Sequence, residues 1–205
     1  MESSHLGKYS FVVAIAGGSA SGKSTFSDAL LHRLAGRLRV ERISTDAYFY
    51  PPAEMPRFYS PTTGQDMPDC NRPDSIDSAR LIRDLDAHRQ AQDRPDVLVI
   101  EGLMVLHLAA LRQRADLRLF VELEGEVRAL RRLVRNLGHA YDPVLSTDAR
   151  SIANYYLESA RVGHDQYVEP SRVHADWILR GDGDFNHLSG LVADLILARV
   201  VLPAA

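Results

Sequence analysis

The sequence is poor in cysteine and in lysine, and the cysteine shortage excludes several kinds of site. One cysteine, Cys70, occurs among 205 residues, so the chain can form neither an internal disulfide nor a cysteine-based zinc site. This usage is typical of a reducing, intracellular environment, and we expect a cytoplasmic protein. The only lysines are Lys8 and Lys23, whereas arginine occurs throughout. A codon bias explains this preference, but lysine is retained at position 23.

Long apolar runs and an excess of positive charge are also missing. No segment approaches the roughly 20 apolar residues of a membrane span, and no charged stretch followed by a long apolar run opens the chain. The net charge is −3, whereas a dedicated nucleic-acid binder carries a strong basic excess. We therefore expect no membrane and no nucleic-acid partner, and a homo-oligomer is left open.

Short apolar runs alternate with amphipathic segments along the chain. The runs predict strands at 10–16, 40–44, 97–100, 117–123 and 177–179. Apolar residues at helical spacing predict helices at 25–34, 74–89, 126–137, 148–158 and 186–200. Residues 47–72 have no clear period and predict a long loop. The alternation predicts one α/β domain over residues 1–205 with a parallel, doubly wound sheet.

The residues between the first strand and the first helix fit the pattern G-x-x-x-x-G-K-[ST]. Glycines let successive backbone N–H groups point at phosphate oxygens, and the helix presents its positive end to the same anion. Lys23 would contact the β- and γ-phosphates, and Ser24 would offer a hydroxyl to Mg²⁺. A chance match in a Gly/Ser loop is the alternative, and the flanking strand and helix argue against it. The predicted nucleotide-binding residues are Gly17, Gly18, Ser19, Ala20, Ser21, Gly22, Lys23, Ser24 and Thr25.

Glu101 follows the apolar strand at 97–100. Ligands of open α/β sheets bind outside the carboxyl ends of the strands, so this carboxylate is predicted to point toward the nucleotide. It could hold the water shell of Mg²⁺, and the alternative is a solvated glutamate at a strand end.

The ordered set of motifs resembles the uridine kinase and phosphoribulokinase family of P-loop kinases, nearly from end to end. The segments that carry the resemblance are Gly18–Ser24, Asp46–Phe49, Asn71–Asp77, Val99–Gly102, Val127–Arg135, Tyr167–Pro170 and Ala175–Ile178. The resemblance implies a P-loop NTPase fold: a five-stranded parallel sheet flanked by helices, with a small helical lid at about 126–160. It also implies a kinase that uses ATP and Mg²⁺ to phosphorylate a hydroxyl of a small metabolite, a nucleoside or a related sugar-containing compound.

The resemblance assigns catalytic roles to individual positions. Asp46 would accept the proton of the attacking hydroxyl and contact Mg²⁺, beside the catalytic Lys23; a turn-initiating aspartate is the alternative. Four arginines share one face of the helix at 126–137, and two of them, Arg132 and Arg135, are predicted to contact the phosphates. A solvated basic face is the alternative for each. The four are Arg128, Arg131, Arg132 and Arg135.

The chain departs from the family's nucleoside kinases on the acceptor side. Asn71 stands where they usually carry an aspartate, and the short segment between Asp77 and Glu101 lacks the insertion that recognises the base. The stretch at 138–142 is also poorer in arginine. Recognition is therefore assigned to the loop at 47–72, where Arg57, Phe58 and Asp69 are further candidates for a recognition wall. The predicted acceptor-binding residues are Asp46, Tyr50, Tyr59, Asn71 and Arg132.

Two other classes of function remain open at this point. One is a nucleotide-dependent regulatory or switch NTPase without a metabolite acceptor. The other is phosphorylation of a nucleic-acid end, which the acidic net charge disfavours.

Overall fold

A five-stranded parallel sheet forms the centre of the structure, a computed structural model that describes residues 9–137 and 148–201. The strands are β1 (Phe11–Gly17), β2 (Val40–Ser44), β3 (Arg57–Ser60), β4 (Gln65–Pro68), β5 (Val97–Glu101), β6 (Leu117–Glu122) and β7 (Trp177–Arg180). The order in the parallel sheet is β2-β5-β1-β6-β7, and β3 and β4 form a separate hairpin.

The central strands are buried on both faces, which explains why their sequences are continuous apolar runs rather than alternating ones. In β1 and β5, Val12 pairs with Leu98 and Ile15 with Glu101. Ser44 of β2 pairs with Glu101 on the other side. The parallel register therefore brings the carboxyl ends of β1, β2 and β5 to the same edge of the sheet, where the site lies.

Helices cover both faces of the sheet. Phe26 and Leu30 of the first helix pack on one face, and Leu81 and Leu85 of the second pack on the other. Asp77 accepts a hydrogen bond from the backbone N–H of Arg80 and begins the second helix. The helices are α1 (Lys23–Leu34), α2 (Ser78–Gln90), α3 (Ala109–Arg112), α4 (Gly125–Leu137), α5 (Ala149–Tyr155), α6 (Arg161–Gly163), α7 (Glu169–Ser171) and α8 (Phe185–Val200).

The helix predicted at 148–158 is longer in the structure. After α5 the chain continues through a π-helical turn (Tyr156–Ala160), α6, a second π-helical turn (His164–Val168) and α7. We call residues 149–171 the α5–α7 segment. The sequence pattern underestimated its length because each π-helical turn shifts the apolar period by one residue.

The prediction of an irregular loop at 47–72 is wrong in part. The structure places a one-turn 3-10 helix at Thr45–Tyr48 and an antiparallel hairpin of β3 and β4 within this stretch. Gly64, with φ 68°, donates its N–H to the carbonyl of Ser60 and closes the hairpin turn. Strands of four residues are too short to establish a period, which is why the sequence did not reveal them.

Within residues 9–137 and 148–201, no helix combines the length and the apolar character needed to cross a membrane. Part of the predicted lid at 126–160, the residues 138–147, lies outside the described residues.

Candidate active site

The phosphate-binding loop connects the end of β1 to the first turn of α1. Gly22 precedes the helix with φ 102°, a backbone conformation that L side chains rarely adopt. A Cβ at this position would lie 2.9 Å from Cζ of Phe185, so the space is also closed to a side chain. Ala20 has φ 61°. The loop backbone is therefore left-handed at Ala20 and Gly22, and the free N–H groups at the start of α1 are directed toward the loop.

Ser24 and Glu101 lie in contact at the carboxyl edge of the sheet. The Ser24 hydroxyl donates a hydrogen bond of 2.9 Å to Oε2 of Glu101, a buried carboxylate at the end of β5. Hydroxyl and carboxylate oxygens are ligands that suit Mg²⁺, which keeps several waters and shares its other positions with phosphate oxygens. The donor set fits that ion. Among the described residues, no group of three or more His, Cys, Asp and Glu side chains could hold a metal by itself.

Lys23 is half-buried at the start of α1, and its Nζ lies 3.5 Å from the carbonyl oxygen of Gly18. Loss of hydration lowers the pKa of the ammonium below its ordinary value, while the negative charges of Asp46 and Glu101 act in the opposite direction. Arg135 and Arg128 add to the lowering. A phosphate bound here would add negative charge beside Lys23 and stabilise its ammonium form.

Asp46 lies in the 3-10 turn that follows β2, and its side chain is exposed. Its negative charge acts on the Lys23 ammonium, as does that of Glu101. The orientation of the Asp46 carboxylate toward an acceptor stays a prediction. The register explains the position of the turn, since β2 and β5 end side by side.

Helix α4 buries two of its arginines and exposes its apolar residues, which is the reverse of the usual arrangement in an amphipathic helix. Arg128 and Arg132 are buried, and their neighbours on the opposite face are exposed. Arg132 donates a 2.9 Å hydrogen bond from Nη1 to the Ser19 hydroxyl of the phosphate-binding loop. The interpretation as a solvated basic face is therefore wrong for Arg128 and Arg132. The exposed apolar residues of α4 are Val127, Leu130, Val134 and Leu137.

Arg128 was not singled out by the sequence from the other arginines of α4. Its Nε donates to the carbonyl of Leu123 at 3.0 Å, and a Cβ on Gly18 would lie 2.6 Å from Nη1.

Burial and the charge of Arg128 lower the pKa of His164 to about 4, and the charge of Asp165 acts in the opposite direction. His164 is therefore neutral at neutral pH, and its 3.5 Å approach to Glu169 is then not an ion pair.

A cleft of about 470 Å³ lies beside the phosphate-binding loop, and Arg135 lines it together with Lys23 and Ser24. Arg131 donates a 3.0 Å hydrogen bond to the Gly181 carbonyl across this cleft. The sequence analysis did not predict the residues on this side of the cleft, which we call the wall. The turn-rich stretch at 181–184, directly after β7, could have indicated them, because parallel strands end at the edge of the sheet where ligands bind. The wall consists of Arg131, Gly181, Asp182, Gly183 and Phe185.

The structure does not bring all predicted acceptor residues to the cleft. Tyr59, on β3, is 63% exposed, and Asn71 is 4% exposed with its amide nitrogen held by protein groups. Tyr50 is half-buried, and its N–H donates to the carbonyl of Ser75. Contact of these three side chains with an acceptor stays a prediction.

The other three candidates for the recognition wall do not form one surface. Phe58 packs edge-to-face on Tyr155, the Arg57 guanidinium binds the carbonyl of Asp66, and Asp69 is buried.

Comparison with known proteins decides the family. The family model described as Phosphoribulokinase / Uridine kinase family matches residues 52–182, well over half of the chain. The chain belongs to this family. The predicted family is thus confirmed, and the match begins after the phosphate-binding loop and Asp46. Those motifs therefore support the assignment independently of the matched residues.

Similar proteins include members of this family. A uridine kinase from Chloroflexus aurantiacus is 27% identical over 216 residues, covering 95% of this chain and 96% of that protein. The solved phosphoribulokinase from Rhodobacter spheroides gives a TM-score of 0.60 at 13% identity, over 85% of this chain and 71% of that one. A candidate fructose transport system kinase from a Silicibacter species gives 0.61 at 20% identity, over 84% and 90%. These structures confirm the predicted P-loop fold.

Proposed function

We propose that this family member is an ATP-dependent kinase that transfers the γ-phosphoryl group to a hydroxyl of a small metabolite, a nucleoside or a sugar-like compound. The observation that supports it best is the hydrogen bond between Ser24 and Glu101 next to Lys23, whose ammonium is acted on by the negative charges of both Asp46 and Glu101. A phosphate-binding loop alone suits any nucleotide-binding protein. An exposed carboxylate in the turn after β2, Asp46, adds a base for an incoming hydroxyl.

Each side chain has a distinct role in this proposal. Lys23 binds the terminal phosphates, and the N–H groups of residues 18–25 hold the remaining oxygens. Ser24 and Glu101 would hold Mg²⁺, which neutralises phosphate charge when bound. Asp46 orients the acceptor hydroxyl and takes its proton. Arg132 and Arg135 carry permanent positive charge toward the transferring group from α4.

The test is release of ADP that depends on an acceptor. We expect turnover with at least one member of a panel of nucleosides, pentoses, hexoses and their monophosphates, and little ADP release without acceptor. Asp46→Asn should lower kcat by about 10² to 10⁴ because a carboxamide cannot take the proton.

The control variant is Asp66→Asn, an exposed aspartate of the β3–β4 hairpin, which we expect to leave kcat unchanged. If Asp46→Asn kept turnover within a few-fold, its assignment as the base would be wrong. ATP hydrolysis that no acceptor stimulates would favour the regulatory NTPase instead.

A further inference from the structure

The turn that carries Asp46 packs against the chain directly after Glu101. Thr45, the first residue of that turn, is 3% exposed, and its side chain contacts Gly102. A Cβ on Gly102 would lie 1.8 Å from Oγ1 of Thr45, 2.9 Å from its Cβ and 3.0 Å from its Cγ2. Among the glycines in residues 9–137 and 148–201, a Cβ would meet its nearest neighbour at the shortest distance here. The two segments therefore touch with no room for a side chain at position 102.

Gly102 is required for space rather than for backbone conformation. Its φ lies outside the left-handed region, unlike that of Gly22 in the phosphate-binding loop. The residue that it contacts is β-branched, so that side chain has few rotamers. Because Thr45 is also buried, it has no free space into which it could turn to admit a methyl group. Such a group would therefore move the backbone of one of the two segments.

The sheet determines which segment moves. Glu101 ends β5, which lies between β1 and β2, and it pairs with Ile15 on one side and Ser44 on the other. The N–H of Gly102 also donates to the carbonyl of Ile15 at 3.1 Å. In contrast, β2 lies at the edge of the sheet. A side chain at position 102 would therefore displace the turn that carries Asp46 and leave Glu101 in place.

The other end of this turn is held by α2. The Tyr48 hydroxyl donates a 3.0 Å hydrogen bond to Oδ2 of Asp84, and the Arg80 guanidinium lies over the Tyr48 ring, 5.1 Å from its centroid. The turn has only four residues. Because its last residue is fixed, the contact of its first residue with Gly102 sets the position of Asp46.

Resting on the kinase function proposed above, we infer that Thr45 and Gly102 are a pair of positioning residues. Their contact sets the distance between the carboxylates of Asp46 and Glu101, and with it the position of the candidate base relative to the bound phosphates. Thr45 acts through its volume, since within residues 9–137 and 148–201 no hydrogen bond involves its hydroxyl. Neither residue takes part in the transfer itself.

The experiment measures kcat and the KM for ATP with an acceptor that stimulates ADP release. Gly102→Ala should lower kcat by about tenfold to a hundredfold, because a displaced base no longer meets the acceptor hydroxyl, and should leave the KM for ATP unchanged. Thr45→Val keeps the volume of the side chain and should keep kcat. Thr45→Ala removes Oγ1 and Cγ2, so the double variant Thr45→Ala, Gly102→Ala should recover kcat to within a few-fold of Thr45→Ala alone.

A second comparison places Gly102→Ala in the Asp46→Asn background. The base whose position it alters is already missing there, so the substitution should change kcat by less than about threefold. An effect as large as in the wild type would mean that Gly102→Ala does not act through Asp46, and would overturn the inference.

Gly190→Ala is the matched control, because a Cβ at this position of α8 meets no atom within 4 Å. It should keep kcat and should not lower stability. Urea unfolding gives a readout that needs no turnover: Gly102→Ala should lower the midpoint, and Thr45→Ala should raise it again in the double variant. Where Gly102→Ala does not fold, the double variant should fold, and Thr45→Ile, which enlarges the other side of the contact, should lower kcat.

Two further outcomes would overturn the inference while leaving the kinase function intact. One is an unchanged kcat in Gly102→Ala, and the other is a double variant with no more activity than Gly102→Ala. Absence of acceptor-dependent ADP release from the wild type across the whole panel would instead defeat the proposed function.

Discussion

On the nucleotide side of the cleft, Ser24, Thr25 and Asp46 expose polar groups to solvent. On the acceptor side, Asn71 and Ser159 are buried and use their polar groups on the protein itself. The two sides of the site therefore differ in how many exposed polar groups they offer to a ligand.

Among the changes that test this comparison, the largest expected effect is on the nucleotide side, from Lys23→Met. Removing the ammonium takes away a preorganised charge at the terminal phosphates, and we expect kcat/KM to fall by about 10² to 10³. Because burial already disfavours the charged lysine, the free energy of unfolding should not decrease. Steady-state kinetics and urea unfolding measure the two quantities.

Arg37→Met is the matched control for Lys23→Met, since Arg37 is exposed after α1. It should change neither kinetics nor stability. A Lys23→Met variant that loses stability without losing turnover would remove the contrast between the two sides.

A second expected effect comes from His164, which is buried and on which the positive charge of Arg128 acts. The fold lowers the pKa of His164 from 6.5 to about 4, so between these pH values the unfolded chain binds a proton that the native chain does not. Stability is therefore fully present above about pH 6.5 and falls as the pH drops toward 4, by up to about 3 kcal/mol.

The measurement is urea unfolding at several pH values between 4 and 7 in the wild type and in His164→Gln. The variant should show a flatter dependence on pH over this window. His88→Gln is the control, because His88 on α2 is half-exposed beside Glu41. Equal slopes in the wild type and His164→Gln would contradict the burial of a neutral imidazole.

The smallest expected effect is on the acceptor side, from Asn71→Ala. The change leaves a buried hydroxyl of Tyr155 or Ser159 without its donor, and we expect unfolding to become easier by about 1 to 3 kcal/mol. The KM for ATP should stay the same. Asn154→Ala, next to Tyr155 on α5 and half-exposed, should be close to neutral.

Asn71→Ala also tests the comparison directly. A raised KM for the acceptor with unchanged stability would mean that Asn71 is a ligand group, as the sequence analysis predicted. The acceptor side would then resemble the nucleotide side in leaving its polar groups to the substrate.

The two sides also differ in how far the sequence predicts them. The phosphate-binding loop is a local motif of eight residues between a strand and a helix, and its geometry follows from its glycines. The contact of Ser24 with Glu101 spans 77 positions, but it was predictable because parallel strands end at one edge. The five strands of the sheet were also predicted from the sequence, the central ones because they are apolar runs of the expected length.

The acceptor side depends on side chains that no local pattern connects. Asn71 and Tyr155 are 84 positions apart, and their contact depends on how α5 packs against the stretch that carries Asn71. A tyrosine within an amphipathic helix gives no sign of whether it faces a core or a substrate. The sequence likewise did not show which face of α4 is buried, because arginines on one face and apolar residues on the other fit either orientation.

Arg128 and Arg132 have a further consequence. Each is buried, and among residues 9–137 and 148–201 no carboxylate pairs with either guanidinium. A buried cation without an anion is an incomplete ion pair, and a triphosphate supplies the missing half. The protein should therefore melt at a higher temperature as nucleotide accumulates, so that its own persistence follows the supply of the compound it consumes.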